Sequence, residues 1–176
     1  MNLVRKFASV ALSFVNITKA ELEERLGLND LSNISLPGVN FTGAELPHVD
    51  LRFSDFRGAT FKNAQLNGVQ LRDANLRGAD FRWSNMKDAD LRGAKFNGAD
   101  LTGADLMWAD LRNADFTGAT LIDIKLTGAP QVKGAKFSYE SIVEAGLDLK
   151  MLQDQGAIVV VPGIRKYLSS LKPGRP

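Results

Sequence analysis

Between Leu31 and Leu126 every fifth residue is large and apolar: twenty consecutive positions are Leu, Phe or Met without exception. Two residues before most of them stands a small or β-branched residue, usually alanine, as in Ala44, Ala59, Ala64, Ala74 and Ala79, with Val39, Val49, Val69 and Ile124 as substitutes. A period of five fits neither the 3.6-residue repeat of an α-helix nor the two-residue alternation of a flat strand, so the chain must turn a corner in every pentad. If each pentad is a short extended side plus a corner, the central Leu or Phe and the Ala two before it point inward and the other three positions face water. Four sides close a square coil of twenty residues, and coils stack at the ~4.8 Å spacing of hydrogen-bonded strands. Alanine recurs beside the central residue because the interior is narrow.

Twenty-residue steps align the interior into columns. Phe41, Phe61, Phe81, Leu101 and Leu121 form one, and Phe56, Leu76, Phe96 and Phe116 another. Gly58, Gly78, Gly98 and Gly118 align at one corner, as expected where the backbone conformation or a close approach of coils disfavours a side chain.

Runs such as Ala79-Asp80-Phe81, Ala89-Asp90-Leu91, Ala99-Asp100-Leu101-Thr102-Gly103 and Ala109-Asp110-Leu111 resemble the A-(D/N)-L-x-x motif of the pentapeptide-repeat family. The resemblance covers about residues 36–130 and implies an all-β solenoid, the right-handed quadrilateral β-helix of that family. It does not assign an activity, because one fold hosts many functions.

The flanks are expected to be α-helical caps, since each end of a stack of coils exposes an unpaired strand edge. Residues 1–35 read as an N-terminal cap: Leu3, Phe7, Val10 and Phe14 recur at helical spacing, and Thr18-Lys19-Ala20-Glu21 reads as a capping box for a helix that stops at Gly27. Residues 36–130 are the β-helix, a rod of about five coils. In 131–176 the phase slips by one residue around Pro130, with Val132 and Phe137 continuing from a shifted origin, and the β-helix is expected to end there. Ser138 is placed to cap a helix to about Gly146, a second helix spans Leu149–Gln155, and Ala157–Val161 is extended. Ile164, Tyr167, Leu168 and Leu171 suggest a last helix before a disordered 172–176.

Composition excludes much chemistry. With no cysteine there is no disulfide, thiolate metal site or cysteine nucleophile, which fits a reducing, cytoplasmic setting. His48 is the single histidine; beside Glu45 and Asp50 it could ligate a metal, but it reads as an exposed turn residue, and no metal site, cofactor or catalytic residue is assigned. The many aspartates are explained by their place in the repeat, where a short polar side chain bonds the backbone at a turn. No phosphate-binding glycine loop or nucleophile elbow is present, and a solid-cored square helix offers an enzyme no pocket except at its ends.

The chain carries a formal charge of +2, and residues 36–130 hold 11 basic and 12 acidic residues, a net −1. That balance argues against nucleic-acid binding, and no apolar run reaches membrane-spanning length. Arg52, Arg72, Arg92 and Arg112 align on one outward column, and Asp50, Asp90 and Asp110 stand two residues before three of them, placed to neutralise the row. Trp83, Trp108, Met107 and Phe53 are expected to face outward, the two tryptophans on successive faces. Arg52, Arg72, Arg92, Arg112, Trp83 and Trp108 are therefore the candidate protein-binding surface of a non-catalytic interaction module. Its partner is an unidentified protein, and it is expected to be a monomer or a dimer through the terminal caps. The alternative is a DNA mimic directed at a type II topoisomerase, as in family members that protect gyrase, although their markedly acidic surface is missing here.

Overall fold

In the computed structural model, which describes residues 13–27, 30–127 and 131–161, the chain is a square, parallel β-helix. One residue per side bridges to the coil on either side of it, and from Ser35 to Lys125 the bridges step by twenty: Ser35 to Asp55, Asp55 to Asn75, Asn75 to Lys95, Lys95 to Asp115. The central residues and the alanines two before them are buried, most of them completely. Burying each Leu or Phe contributes about 1.5–3 kcal/mol before entropy is counted.

Two phenylalanine columns fill the interior. Phe14, Phe41, Phe61 and Phe81 stack with ring centroids 4.8–5.3 Å apart, and Phe96, Phe116 and Phe137 at 4.8 and 5.1 Å. The columns meet edge-on where Phe56 touches Phe61 at 5.4 Å and Phe81 touches Phe96 at 5.5 Å. Stacked and T-shaped rings both suit the aromatic quadrupole.

Most corners are tight turns closed by the amide of the residue three after the central one, as in Ala44 N–H to Phe41 O at 3.0 Å. The third residue of the turn has positive φ throughout, the hallmark of a type II turn. This explains the Gly58–Gly118 column: a Cβ on Gly58, Gly78 or Gly98 would meet nothing within 4 Å, so the left-handed backbone and not a close approach selects glycine there. Where Asp or Asn precedes a central residue it usually accepts the amide two residues on, as in Thr42 N–H to Asn40 Oδ1 at 3.0 Å and Thr102 N–H to Asp100 Oδ1 at 3.0 Å.

The ladder runs past both expected ends of the β-helix. Ser13 bridges Asn40 and Thr18 bridges Glu45, a step of 27, so the chain is already coiling before helix α1 (Lys19–Leu26) is inserted. Phe14 is a core residue of that coil and not part of a helix; residues 1–12 of the expected first helix lie outside the described residues. The capping box of α1 forms as expected, Glu21 N–H donating to Thr18 Oγ1 and Thr18 N–H to Glu21 Oε2, and Gly27 closes the helix in the left-handed conformation.

At the other end the inserted residue makes the step 21, Asp110 bridging Gln131, and pairing continues through β1 (Asp115–Phe116), β2 (Lys136–Ser138) and β3 (Ile158–Val160) in one parallel sheet. The β-helix therefore does not end near Pro130: Gln131 pairs with Asp110, and Val132 and Phe137 stay inside. Between β2 and β3 the chain forms α2 (Tyr139–Glu144) and α3 (Leu149–Asp154). Ser138 does not cap α2 with its side chain: its Oγ accepts Gly118 N–H at 2.7 Å, and Ser141 Oγ donates to Ala119 O. These hydroxyls satisfy backbone groups of the coil below. Asp148 caps α3 by accepting Met151 N–H at 2.9 Å. The expected helix over 164–171 lies outside the described residues.

Candidate functional site

The arginine row is real, and it is largely neutralised. Arg52, Arg92 and Arg112 each reach back to the aspartate two residues earlier, Nε bonding Oδ1 at 2.8–2.9 Å and Nη2 bonding Oδ2 at 2.6 Å. Arg57 and Arg82 form the same clamp on Asp55 and Asp80 at other corners. The clamp sits within the tight turn, which brings residues two apart to one edge. Hydrogen bonds from these arginines hold the carboxyls of Asp50, Asp55, Asp80 and Asp90 below the usual aspartate range. Bonding to Asp90 and its charge hold Arg92 more firmly protonated still. Arg92 also approaches Asp110 of the next coil at 3.7 Å.

Arg72 departs from the pattern. Gln70 stands where its neighbours have aspartate, and among the described residues its carboxylate contact is Asp73, through Nε at 3.3 Å. Beside it the corner column reads Phe53, Asp73, Gly93, Asn113; the carboxylate of Asp73 lies over Gly93, where a side chain would otherwise stand, and a shallow cavity of about 300 Å³ is lined by Arg72, Asp73, Arg92, Gly93, Arg112 and Asn113.

The outward aromatics share a backbone peculiarity. Phe53, Trp83 and Trp108 all occupy the left-handed turn position, with φ of 61°, 60° and 59°, and are 53–57% exposed. Bulky residues are rare at such angles, since the Cβ crowds the backbone. The two tryptophans border one side of the rod. The six-membered ring of Trp83 lies over Gly103, and Gly103 and Trp108 are the two corners of one side of the next coil. Between them lies Asp105, which draws Lys87 to 3.4 Å and Lys125 to 3.9 Å, with half-buried Met107 beside Trp108. His48 is an exposed turn residue whose imidazole lies over Gly68, and no group of three acidic or histidine side chains among the described residues could hold a metal.

Sequence reasoning found the arginines and tryptophans but missed two things: the left-handed turn slot, and the pairing of Arg72 with Asp73 instead of a residue two before it. The first was signalled by the Gly, Asn and Asp that fill most of that slot; the second by Gln70, the one break in the Asp-x-Arg pattern of the row.

A model of pentapeptide repeats matches the sequence in 8 copies, over residues 30–63, 64–103, 89–128 and 104–138. No curated protein sequence matches it. Among solved structures, a pentapeptide repeat protein of the Arabidopsis thaliana thylakoid lumen is 30% identical, with 82% of this chain and 80% of that one covered and a TM-score of 0.29. A pentapeptide repeat protein from the cyanobacterium Cyanothece 51142 is 22% identical, covering 76% and 96%, with a TM-score of 0.34. The plasmid-mediated fluoroquinolone resistance protein QnrB1 is 18% identical, covering 93% and 98%, with a TM-score of 0.42.

Proposed function

The chain belongs to the pentapeptide-repeat family, and from that premise we propose that it is a non-catalytic binding module that docks a protein partner through its outward corners. The observation that carries this reading is the placement of Phe53, Trp83 and Trp108. Each is a large aromatic, mostly exposed, held at a left-handed angle that glycine or asparagine would adopt with less strain. Backbone strain of this kind persists where the side chain is needed for something other than the fold, and Trp is the residue most enriched at interface hot spots. The Gly103–Trp108 side offers two indoles flanking a charged centre, which suits an apolar contact ringed by polar groups.

The topoisomerase-directed alternative needs an acidic, DNA-like surface. Here Asp50, Asp55, Asp80, Asp90 and Asp110 are each clamped by an arginine two residues on, which removes that field. A gyrase supercoiling assay is expected to show neither protection nor inhibition.

The experiment for the leading reading is affinity capture from the source cell with the parent chain and with Trp83→Asn/Trp108→Asn. The double variant is expected to fold and to lose the captured partner. Capture of the same partner at undiminished affinity would remove the indoles from the interface.

A further inference from the structure

We propose that the corner formed by Trp83, Gly103 and Asp123 is an arginine-binding site, in which a guanidinium supplied by the protein partner stacks on the indole of Trp83 and donates to the carboxylate of Asp123. The site deepens the docking reading above and rests on it for the source of the arginine.

Three successive coils build the corner. Trp83 N–H donates to Thr102 O at 2.9 Å and Gly103 N–H to Ile122 O at 2.8 Å, so Trp83, Gly103 and Asp123 follow one another in a single column. Gly103 has no side chain to hold the indole off, and the six-membered ring lies over it, one coil nearer to Asp123 than the Trp83 backbone. Trp83 is still 55% exposed there, and Asp123 is exposed as well. Ile122, 42% exposed beside Asp123, offers an apolar surface for the methylenes of a long side chain.

The cations of the chain itself are engaged elsewhere. Arg82, next to Trp83 in sequence, is clamped on Asp80 through Nε at 2.9 Å and Nη2 at 2.6 Å, and approaches Asp100 at 3.8 Å. Lys125, two residues after Asp123, reaches Asp105 at 3.9 Å. Among the described residues Asp123 forms no ion pair, whereas Asp50, Asp55, Asp80, Asp90 and Asp110 each hold an arginine. An exposed indole attracts a cation to its face, an unpaired carboxylate attracts one to its oxygens, and a planar guanidinium can meet both at once. A single exposed contact of this kind is weak, so the site gains strength only inside a larger interface.

Trp108 supplies an internal control. Corner side chains lean toward the following coil, as those of His48, Asp73 and Trp83 do over Gly68, Gly93 and Gly103. By that rule the indole of Trp108 points away from Asp88, the acid one coil before it, and residues 127–130 ahead of it include no acid.

The test uses the full chain, ¹⁵N-labelled, titrated at low ionic strength with N-acetylarginine amide and, in parallel, with N-acetylcitrulline amide, its uncharged isostere. The chain has two tryptophans, so two indole Nε1–H signals are followed by NMR, and Trp108→Asn tells them apart. The Trp83 signal and the amide of Ile122 are expected to shift along one binding curve with the arginine derivative, and far more than the Trp108 signal does or than citrulline induces. Asp123→Asn places at this corner a residue that already adopts the left-handed turn at Asn63 and Asn113. It is expected to weaken binding by about threefold or more without lowering the melting temperature. Equal shifts at both indoles, an equal response to citrulline, or unchanged binding in Asp123→Asn would overturn the proposal. None of these readings needs the partner, so a failure here leaves the capture experiment with the tryptophan variants to judge the docking reading separately.

Discussion

The indole of Trp83 occupies the space that a side chain at Gly103 would fill, so the identity of one corner residue constrains its neighbour one coil on. Gly98 provides the control. It has the same φ of 67°, and a Cβ there would meet nothing within 4 Å. Gly98→Ala should therefore cost only the left-handed strain, about 1–2 kcal/mol, while Gly103→Ala should cost more because the Trp83 ring must move. Adding Trp83→Asn to Gly103→Ala should return the cost to the Gly98→Ala level. Urea unfolding of the three variants checks this, and equal costs for the two single alanine variants would show that the ring yields freely.

What could be read from the sequence follows from what the interior demands. A narrow core leaves few choices at the inward positions, so Leu, Phe and Ala recur in the sequence as they do in the structure. The N-terminal start was hidden because Phe14 and Ile17 are three apart, a spacing shared by a helix face and by a central residue and the small inward residue of the next pentad. The C-terminal continuation was hidden because one residue inserted near Pro130 breaks the period while leaving the ladder intact. At the surface, Gln70 was visible as an exception in the row, but its consequence depends on the bidentate geometry of its neighbours, which spacing alone does not supply.

The strain at the exposed aromatics has a measurable cost. Trp108→Asn keeps a residue that tolerates positive φ and removes one that does not, so stability should rise by about 0.5–1 kcal/mol. Thermal or urea unfolding reads it directly. A loss of stability would mean that Trp108 packs against the fold and is retained for that reason instead of for binding.

Phe81 stacks on Phe61 at 4.8 Å and 9°, and meets Phe96 edge-on. Phe81→Ala should cost about 3–5 kcal/mol, through lost burial and the cavity left behind. Phe81→Leu should cost far less, about 1 kcal/mol, because Leu101 and Leu121 occupy the same column in the coils beyond. Phe81→Asp should abolish the cooperative transition by placing an unpaired charge in the core. A melt for Phe81→Asp near that of the parent would place Phe81 outside the core.

The clamped aspartates tie stability to pH. Hydrogen bonds from Arg52, Arg57, Arg82 and Arg92 lower the carboxyl pKa values of Asp50, Asp55, Asp80 and Asp90 in the folded chain, while the unfolded carboxyls titrate near about 3.9. Above that value both states are ionised and the full stabilisation is present. As pH falls below about 4 the unfolded chain takes up protons that the folded chain does not, so unfolding becomes easier, and the contribution is lost as pH passes down through the folded pKa values. The urea midpoint should therefore be nearly level from pH 7 to 5 and drop by pH 3. Asp50→Asn/Asp90→Asn should flatten the drop. Asparagine keeps the turn, as Asn40 and Asn85 do by accepting the amides of Thr42 and Lys87, but carries no charge to titrate. An equal fall in the parent and the double variant would assign the acid sensitivity to other carboxylates, such as Glu21 in the capping box or Asp30, whose pKa values are lowered by hydrogen bonds from Thr18 and Ser32.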